Sequence, residues 1–357
     1  MNAQRLAPHP ARQRQLLLLG TGTVGSAFVE RYQTLQQRGV ALPSLHSVAN
    51  SRTVLRCGQA PGQHLRQARS APVPTAPRAV GVEIDALQAG DVVVDATASD
   101  AVAEQHAAWL ARGMHVVTAN KLGAGAQLTR AQAIVQGCAA SGVRYGDSAT
   151  VGAGLPLLSS LRALIAGGDR IHAIEGVLSG SLAWLFHHYD GKRAFSQWVA
   201  EAVQAGFTEP DPRLDLAGED VRRKLLILAR ASGLPLEAAQ VRVHSLVPAP
   251  LARLSLQEAL SQLQQLDVPV QDQWQRAQAR GHVLRFVGCV DGRGAEVGLR
   301  TLPPDHPMAQ GAGTDNRVAL HSDRYREQPL LIQGPGAGAT VTAAALLDDV
   351  MRIHAIP

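Results

Sequence analysis

Short apolar runs that end on glycine or a polar residue alternate with longer stretches of helical period through the first part of the chain. Gln15 to Leu19, stopped by Gly20, predicts a buried strand. Thr23–Arg38 follows with a helical pattern and Gly39 as its stop. Leu45–Ala49, Asp91–Ala96 (DVVVDA), Met114–Val117 and Val143–Tyr145 predict further strands, and Ala101–Arg112 and Leu128–Ala140 predict helices between them. Strands alternating with helices make βαβ units and a mainly parallel sheet, the α/β class. Asn50–Val80 is rich in Pro, Gln, Arg and Ala without a clear period, and predicts an irregular, mobile segment.

After Val151-Gly152-Ala153-Gly154 the pattern changes. Ile171–Leu178 predicts a strand, and helices are expected near Ser181–Tyr189, Phe195–Ala205 and Gly218–Ser232. A long helix near Ser255–Arg280 precedes strand candidates at Val283–Val290, Glu296–Leu302, Arg317–His321 and Leu330–Gln333, and Gly338–His354 predicts a last helix. This half reads as α+β.

The length of 357 residues fits two domains at roughly 100 to 200 residues each. The expected division is a disordered arm over 1–14, a nucleotide-binding domain over 15–147, a second domain over 148–325 and a C-terminal segment over 326–357. Hydrophobic residues at 46% supply a core, and few aromatics leave Leu, Val and Ala to fill it. The net charge of +5 is spread without a basic block or aromatic-interleaved strip, so no nucleic-acid interface is expected. Cys57, Cys138 and Cys289 are odd in number and far apart, which suggests neither a disulfide framework nor a zinc site. No run is long enough to span a bilayer and the N-terminus lacks an apolar signal core, so no membrane partner and a cytoplasmic location are expected.

Gly20-Thr21-Gly22-Thr23-Val24-Gly25 is GxGxxG between a strand and a helix. Its glycines suit a tight turn, close approach of a pyrophosphate and helix–strand packing, and the helix N-terminus suits the phosphates. The end of the second strand carries Asn50-Ser51-Arg52, with no carboxylate for a ribose 2′-hydroxyl and an arginine for a 2′-phosphate, which favours NADP(H) over NAD(H). Thr97, Ala98 and Ser99, after the next strand, complete the expected cofactor crevice with Lys121.

Three segments carry candidate chemistry. Val117–Lys121 puts a lysine beyond the carboxyl end of a strand, where α/β sheets bind ligands. Gly176–Ser181 runs from a strand through small residues into a helix and offers N–H groups and hydroxyls. Gly206–Lys224 is a proline-stiffened acidic loop that feeds a helix, with Asp220 and Lys224 on one face at i,i+4. Taken singly, these are also patterns of a surface lysine, a helix cap and a surface ion pair.

The stretches GTGTVG, VANSR, VVTANK, TVGAGLP, GVLSGSLAWLF, GFTEPDPRLDLAGEDVRRKLLILAR and GPGAGATVTAAA stand in this order. By them the sequence resembles the homoserine dehydrogenases, stand-alone or fused to aspartokinase, over nearly all of the chain after Leu16. The resemblance implies a Rossmann-like nucleotide-binding domain, a mixed α+β catalytic domain that also joins a homodimer, and a C-terminal helix returning to the first domain. It implies reversible NADPH-dependent reduction of L-aspartate 4-semialdehyde to L-homoserine, in threonine, methionine and isoleucine biosynthesis. Lys224 and Lys121 would handle the proton, Lys224 as donor and Lys121 as polariser, with Asp220 beside them. The substrate would meet Glu209, Asp220, Asp215, Gly180 and Ser181, with Glu209 on its ammonium. Gly336 would lie near the nicotinamide.

A monovalent cation, Na or K, is also implied, on the backbone carbonyls of Val151, Ala153 and Leu155. Relatives commonly place an acid three residues before that valine. Here Ser148 stands there, and the acid, Asp147, is one residue earlier. Feedback control through a C-terminal regulatory module is not expected. Two other readings are another NAD(P)-dependent amino-acid dehydrogenase or reductase, and a non-catalytic NADP-binding sensor. A sensor has no need of Lys121, Glu209, Asp220 and Lys224 together.

Overall fold

In the structure, a computed structural model, residues 13–58, 60–73, 84–311 and 313–355 are described. Leu16, Leu17 and Leu18 are shut off from solvent on both sides. An apolar run buried on both faces must lie inside a sheet covered by helices above and below. That strand, β1 (Gln15–Leu19), is central in a six-stranded sheet with β2 (Ser44–Ala49), β3 (Val54–Arg56), β4 (Val92–Asp95), β5 (His115–Thr118) and β6 (Tyr145–Gly146). The order is β3-β2-β1-β4-β5-β6. All neighbours are parallel except β3, which folds back antiparallel on β2. Connections leave β1 and β4 in opposite directions, which opens a crevice beyond their carboxyl ends.

Leu16 and Leu18 pack against Phe28 and Tyr32 of the Thr23–Gln37 helix, and against Ala343, Leu346, Leu347 and Val350 of the Ala339–His354 helix. Leu17 and Leu19 pack on the other face with Trp109, Leu110 and Ile134. The last helix therefore returns to the first sheet, as expected. Arg14 helps to hold it, donating to the carbonyl of Ile353 at 2.6 Å.

The second sheet contains β7 (Ile171–Val177), β8 (Val241–Val243), β9 (Val283–Asp291), β10 (Gly294–Leu302), β11 (Asp315–Ser322) and β12 (Leu330–Pro335), in the order β12-β11-β7-β9-β10-β8. Period-2 alternation sends Ile174, Phe286, Val290, Val318 and Leu320 into a core roofed by the Leu157–Ala166, Gly180–His188 and Glu219–Ala231 helices. Over the opposite face, with Glu175, Cys289, Glu296 and Arg300, Ala183 of the Gly180–His188 helix and His306, Met308 and Ala309 of the loop after β10 cover a part, and the rest is uncovered among the described residues.

Several expectations need correction. The stretch read as irregular holds β3 and a helix, Pro61–Ser70. Proline suits the first helical turn, and Leu65 and Ala68 bury a face too narrow to stand out among Gln and Arg. Residue 59 and residues 74–80 of that stretch, and the arm apart from Gln13 and Arg14, lie outside the described residues. The long helix of the second half is broken into Leu256–Ser261, a 3-10 turn at Leu263–Leu266, and Asp267–Gln278. Pro269 lacks an N–H and is tolerated only in a first turn, so a new helix starts there. The helix expected at Ala101–Arg112 is likewise two, Asp100–Glu104 and His106–Ala111. The Leu157–Ala166 helix and β8 have no counterpart among the expected elements.

Candidate active site

Gly20 turns with φ +98°, and a Cβ there would stand 2.7 Å from the carbonyl oxygen of Ala96, so β1 and β4 leave the sheet almost in contact. A Cβ on Gly25 would fall 1.9 Å from the carbonyl oxygen of Gly20, which seats the helix directly on the turn. Gly22 has nothing within 4 Å of where a Cβ would be. Of the three glycines, the middle one thus faces open space, where a pyrophosphate needs to approach the backbone. Thr23 and Val24 begin the helix behind it. Among the described residues no side chain caps that helix, and no acid stands in its first turn, so its positive end is available.

The crevice has a volume of about 1020 Å³ and is lined by Gly20, Thr21, Gly22, Asn50, Ser51, Arg52, Arg69, Thr97, Ala98 and Ser99, and among the described residues no carboxylate stands on its wall. Nine of the expected cofactor residues meet there. Thr23, Val24, Gly25, Lys121 and Gly336 are not on that wall. Asn50 organises the far end: its amide donates to Thr21 Oγ1 and to the Ala68 carbonyl, both at 2.8 Å, and its Oδ1 accepts from the N–H groups of Arg52 and Thr53. The Arg52 guanidinium donates to the carbonyls of Arg69 and Ala71, at 3.1 and 3.4 Å. Arg69 is a second guanidinium on the crevice, reaching Ser26 Oγ at 3.2 Å. In the sequence it is only one of several arginines in a stretch without a period.

Lys121 follows β5. The Asn120 amide donates to the Ser99 carbonyl at 2.8 Å, its N–H donates to Thr118 Oγ1, and its Oδ1 accepts from Leu122 N–H, which fixes the turn that presents the lysine. On the Glu219–Ala231 helix, Asp220 takes both lysines: Oδ2 is 2.8 Å from Lys224 Nζ and Oδ1 is 3.3 Å from Lys121 Nζ. Lys224 is only 8% exposed. It also donates to the carbonyl of Leu178 at 2.7 Å, which leaves one of its three donors unspent among the described residues. Burial disfavours the Asp220 carboxylate, but the two ammonium groups outweigh that and hold its pKa down to about 2.

Beside this cluster, Ser181 Oγ donates to Asp215 Oδ1 at 2.8 Å and the Glu209 N–H donates to Oδ2 at 2.9 Å. Burial pushes the Asp215 carboxyl up, against those two hydrogen bonds. Gly180 opens the helix that carries Ser181, after the N-cap Ser179. Glu209 is exposed at the rim. The three segments therefore converge through Lys121–Asp220–Lys224–Leu178 and Ser181–Asp215–Glu209. Gly336 packs on Asn316, where a Cβ would come within 1.8 Å of the side-chain oxygen. The fully buried Asn316 amide has no hydrogen-bond partner among the described residues.

The carbonyls of Val151 and Ala153 belong to buried residues and accept no hydrogen bond among the described residues, while the Leu155 carbonyl accepts from Leu157 N–H at 2.8 Å. Ala153 has φ +51°. Two orphaned carbonyls fit a small cation. The acid does not: Asp147 is gripped by both guanidinium nitrogens of Arg162, each at 2.7 Å, so it does not reach in. Ser148 instead bonds Asp349 of the last helix through its N–H and hydroxyl, both at 2.9 Å. Among the described residues, no three His, Cys, Asp or Glu side chains form a metal cluster.

A glycine turn beneath a crevice lined by Arg52 and Arg69, with a lysine–carboxylate cluster close to it, defines a nicotinamide-dependent oxidoreductase. Family models described as homoserine dehydrogenase, NAD binding domain, and homoserine dehydrogenase match residues 20–146 and 156–351. The chain belongs to the homoserine dehydrogenase family. It is 39% identical to a homoserine dehydrogenase of Paracoccidioides brasiliensis, over 73% of this chain and 74% of that one. A chloroplastic bifunctional aspartokinase/homoserine dehydrogenase 1 of Arabidopsis thaliana is 48% identical over 73% of this chain, which spans 29% of that relative's length. A crystal structure of a Candida auris protein of unknown function superposes with a TM-score of 0.84 at 33% identity, covering 95% of this chain and 98% of the other.

Proposed function

We propose that the chain reduces L-aspartate 4-semialdehyde to L-homoserine, reversibly and with NADPH. The observation that carries this is the Asp220 carboxylate joining Lys121 and Lys224. When bound, the cofactor supplies the hydride. Lys224 gives the aldehyde oxygen its proton from the donor that neither Asp220 nor Leu178 takes, and Lys121 polarises the same oxygen. Asp220 keeps both ammonium groups oriented, so little is lost to reorganisation as charge develops. Glu209 holds the substrate ammonium, while Asp215, through Ser181 and the Glu209 backbone, fixes the pocket with Gly180. The expected division at 15–147, 148–325 and 326–357 puts cofactor and substrate groups on opposite sides of one cleft, with Gly336 near the nicotinamide.

NADP(H) is the preferred cofactor and NAD(H) the weaker one, supported by Arg52 and Arg69 on the crevice wall and by the lack of an acid there among the described residues. A Na or K ion on the Val151, Ala153 and Leu155 carbonyls would brace the loop. The uncovered face of the second sheet supports a homodimer. The reaction belongs to threonine, methionine and isoleucine biosynthesis, in the cytoplasm; among the described residues no helix is long and apolar enough to cross a membrane. The test is NADPH oxidation with L-aspartate 4-semialdehyde against a panel of other aldehydes and oxo acids. Turnover confined to the semialdehyde is expected, and equal or faster turnover of another panel member would reject the reading.

A further inference from the structure

Beneath the cofactor crevice lies a polar chain with no part in the chemistry above. Asp95, the last residue of β4, and His106 are both 0% exposed, and Asp95 Oδ2 is 3.0 Å from His106 Nε2. His106 Nδ1 is 3.0 Å from the Tyr145 hydroxyl. With His106 donating to Asp95 through Nε2 and accepting from the phenol at Nδ1, every member is satisfied. Burial, with Asp147 and Asp95 nearby, pushes the Tyr145 phenol well above its usual range, so it stays a donor.

Each end of this chain meets one partner of the site. At one end Asp95 Oδ1 accepts from Thr97 N–H at 2.8 Å, which sets the Thr97–Ser99 wall of the crevice. At the other, the backbone of Gly123, two residues after Lys121, rests on the phenol: a Cβ there would be 2.2 Å from the Tyr145 oxygen and 3.0 Å from His106 Nδ1. A glycine is what allows that approach. Isolated polar groups in a core cost stability, and this one connects two loops that leave neighbouring strands and must keep a common register.

We propose that Asp95, His106 and Tyr145 form a positioning relay that fixes the cofactor wall at Thr97–Ser99 and the seat of Lys121 relative to each other. His106 is the joint: its Nε2 side serves the cofactor loop and its Nδ1 side serves the lysine. The lysine arm rests on the proposed role of Lys121, and the cofactor arm needs only nucleotide binding.

The two sides separate by substitution. The glutamine amide of His106→Gln reaches about as far as Nε2 and keeps the Asp95 bond, while the amide of His106→Asn reaches about as far as Nδ1 and keeps Tyr145. Tyr145→Phe removes the phenol alone. NADPH dissociation constants by fluorescence titration and kcat with the semialdehyde are measured for each. His106→Gln and Tyr145→Phe should lower kcat about tenfold and leave the NADPH constant within about twofold. His106→Asn should raise that constant about fivefold or more. In a Lys121→Ala background Tyr145→Phe should cost nothing further, because both act through one group. Equal NADPH constants for all three variants, or a full tenfold loss retained without Lys121, would overturn the relay. If His106→Asn fails to fold, Tyr145→Phe and Gly123→Ala decide the lysine arm, and His106→Gln decides whether the Asp95 bond alone preserves nucleotide affinity. If the wild type turns over no semialdehyde, the activity reading falls, and the binding comparison still judges the relay.

Discussion

Asp220 and Lys224 are one turn apart on the same helix and 2.8 Å apart in space, and a second ammonium, Lys121, arrives on the other carboxylate oxygen from a different sheet. One acid thus holds two cations from separate parts of the chain. The bond within the helix could form in an isolated peptide; the bond to Lys121 exists only when the two halves are assembled.

Replacing Lys224 with Ala should lower kcat by about a hundredfold or more, the usual scale for losing a general acid, with NADPH affinity nearly unchanged. Because the lysine is buried and donates to Leu178, Lys224→Met, which fills the volume, separates lost chemistry from lost packing. Steady-state kinetics beside circular dichroism checks this. Near-normal turnover in both variants would move the proton to Lys121 or water.

With its pKa held at about 2, Asp220 is ionised throughout the working range. A depressed carboxylate stabilises the fold above the ordinary value of about 4, and that contribution is lost as the pH falls through about 2. No acidic limb in kcat above about pH 4 should therefore come from Asp220. In Asp220→Asn the two lysines lose their counter-charge, and the alkaline limb of the reductive profile should move toward neutrality. An unchanged profile would show that the carboxylate does not govern the donor.

The two arginines on the crevice wall, proposed for the 2′-phosphate, give a further test. Arg52 is tied to the carbonyls of Arg69 and Ala71, whereas the Arg69 guanidinium reaches only Ser26 among the described residues. Arg69→Ala should raise KM for NADPH about tenfold, the scale of one charge-assisted hydrogen bond of about 1.5–3 kcal/mol, and leave that for NADH nearly unchanged. Arg52→Ala should act in the same direction. Equal effects on both cofactors would remove these residues from the 2′-phosphate.

For the homodimer, light scattering at micromolar protein should give twice the chain mass. A charge placed on the uncovered sheet face, Leu331→Glu, should weaken association without disturbing the core, because Leu331 is 41% exposed. A monomeric mass for the wild type would defeat the dimer.

Much of this was legible in the sequence because local pattern and tertiary outcome agree. Most strands of the first sheet follow apolar runs, and the glycines of residues 20–25 take the three places their spacing suggests. The Pro61–Ser70 helix was hidden because a surface helix needs only Pro61, Leu65 and Ala68 on its buried side. Asp220 and Lys224 could be paired by spacing, but nothing local predicts that Lys121 shares the same carboxylate. The relay from Asp95 to Tyr145 was equally out of reach, since His106 and Tyr145 are brought together only by the sheet.

The Ala339–His354 helix gives Ala343, Leu346, Leu347 and Val350 to the core around β1. During synthesis the opening strand leaves the ribosome hundreds of residues before the helix that shelters it. Until residue 354 has been made, Leu16 and Leu18 lack part of their cover, and the nascent first sheet keeps an apolar side exposed to any chaperone that recognises one. Maturation of the nucleotide site is in this sense timed by the Ala339–His354 helix rather than by the glycine turn.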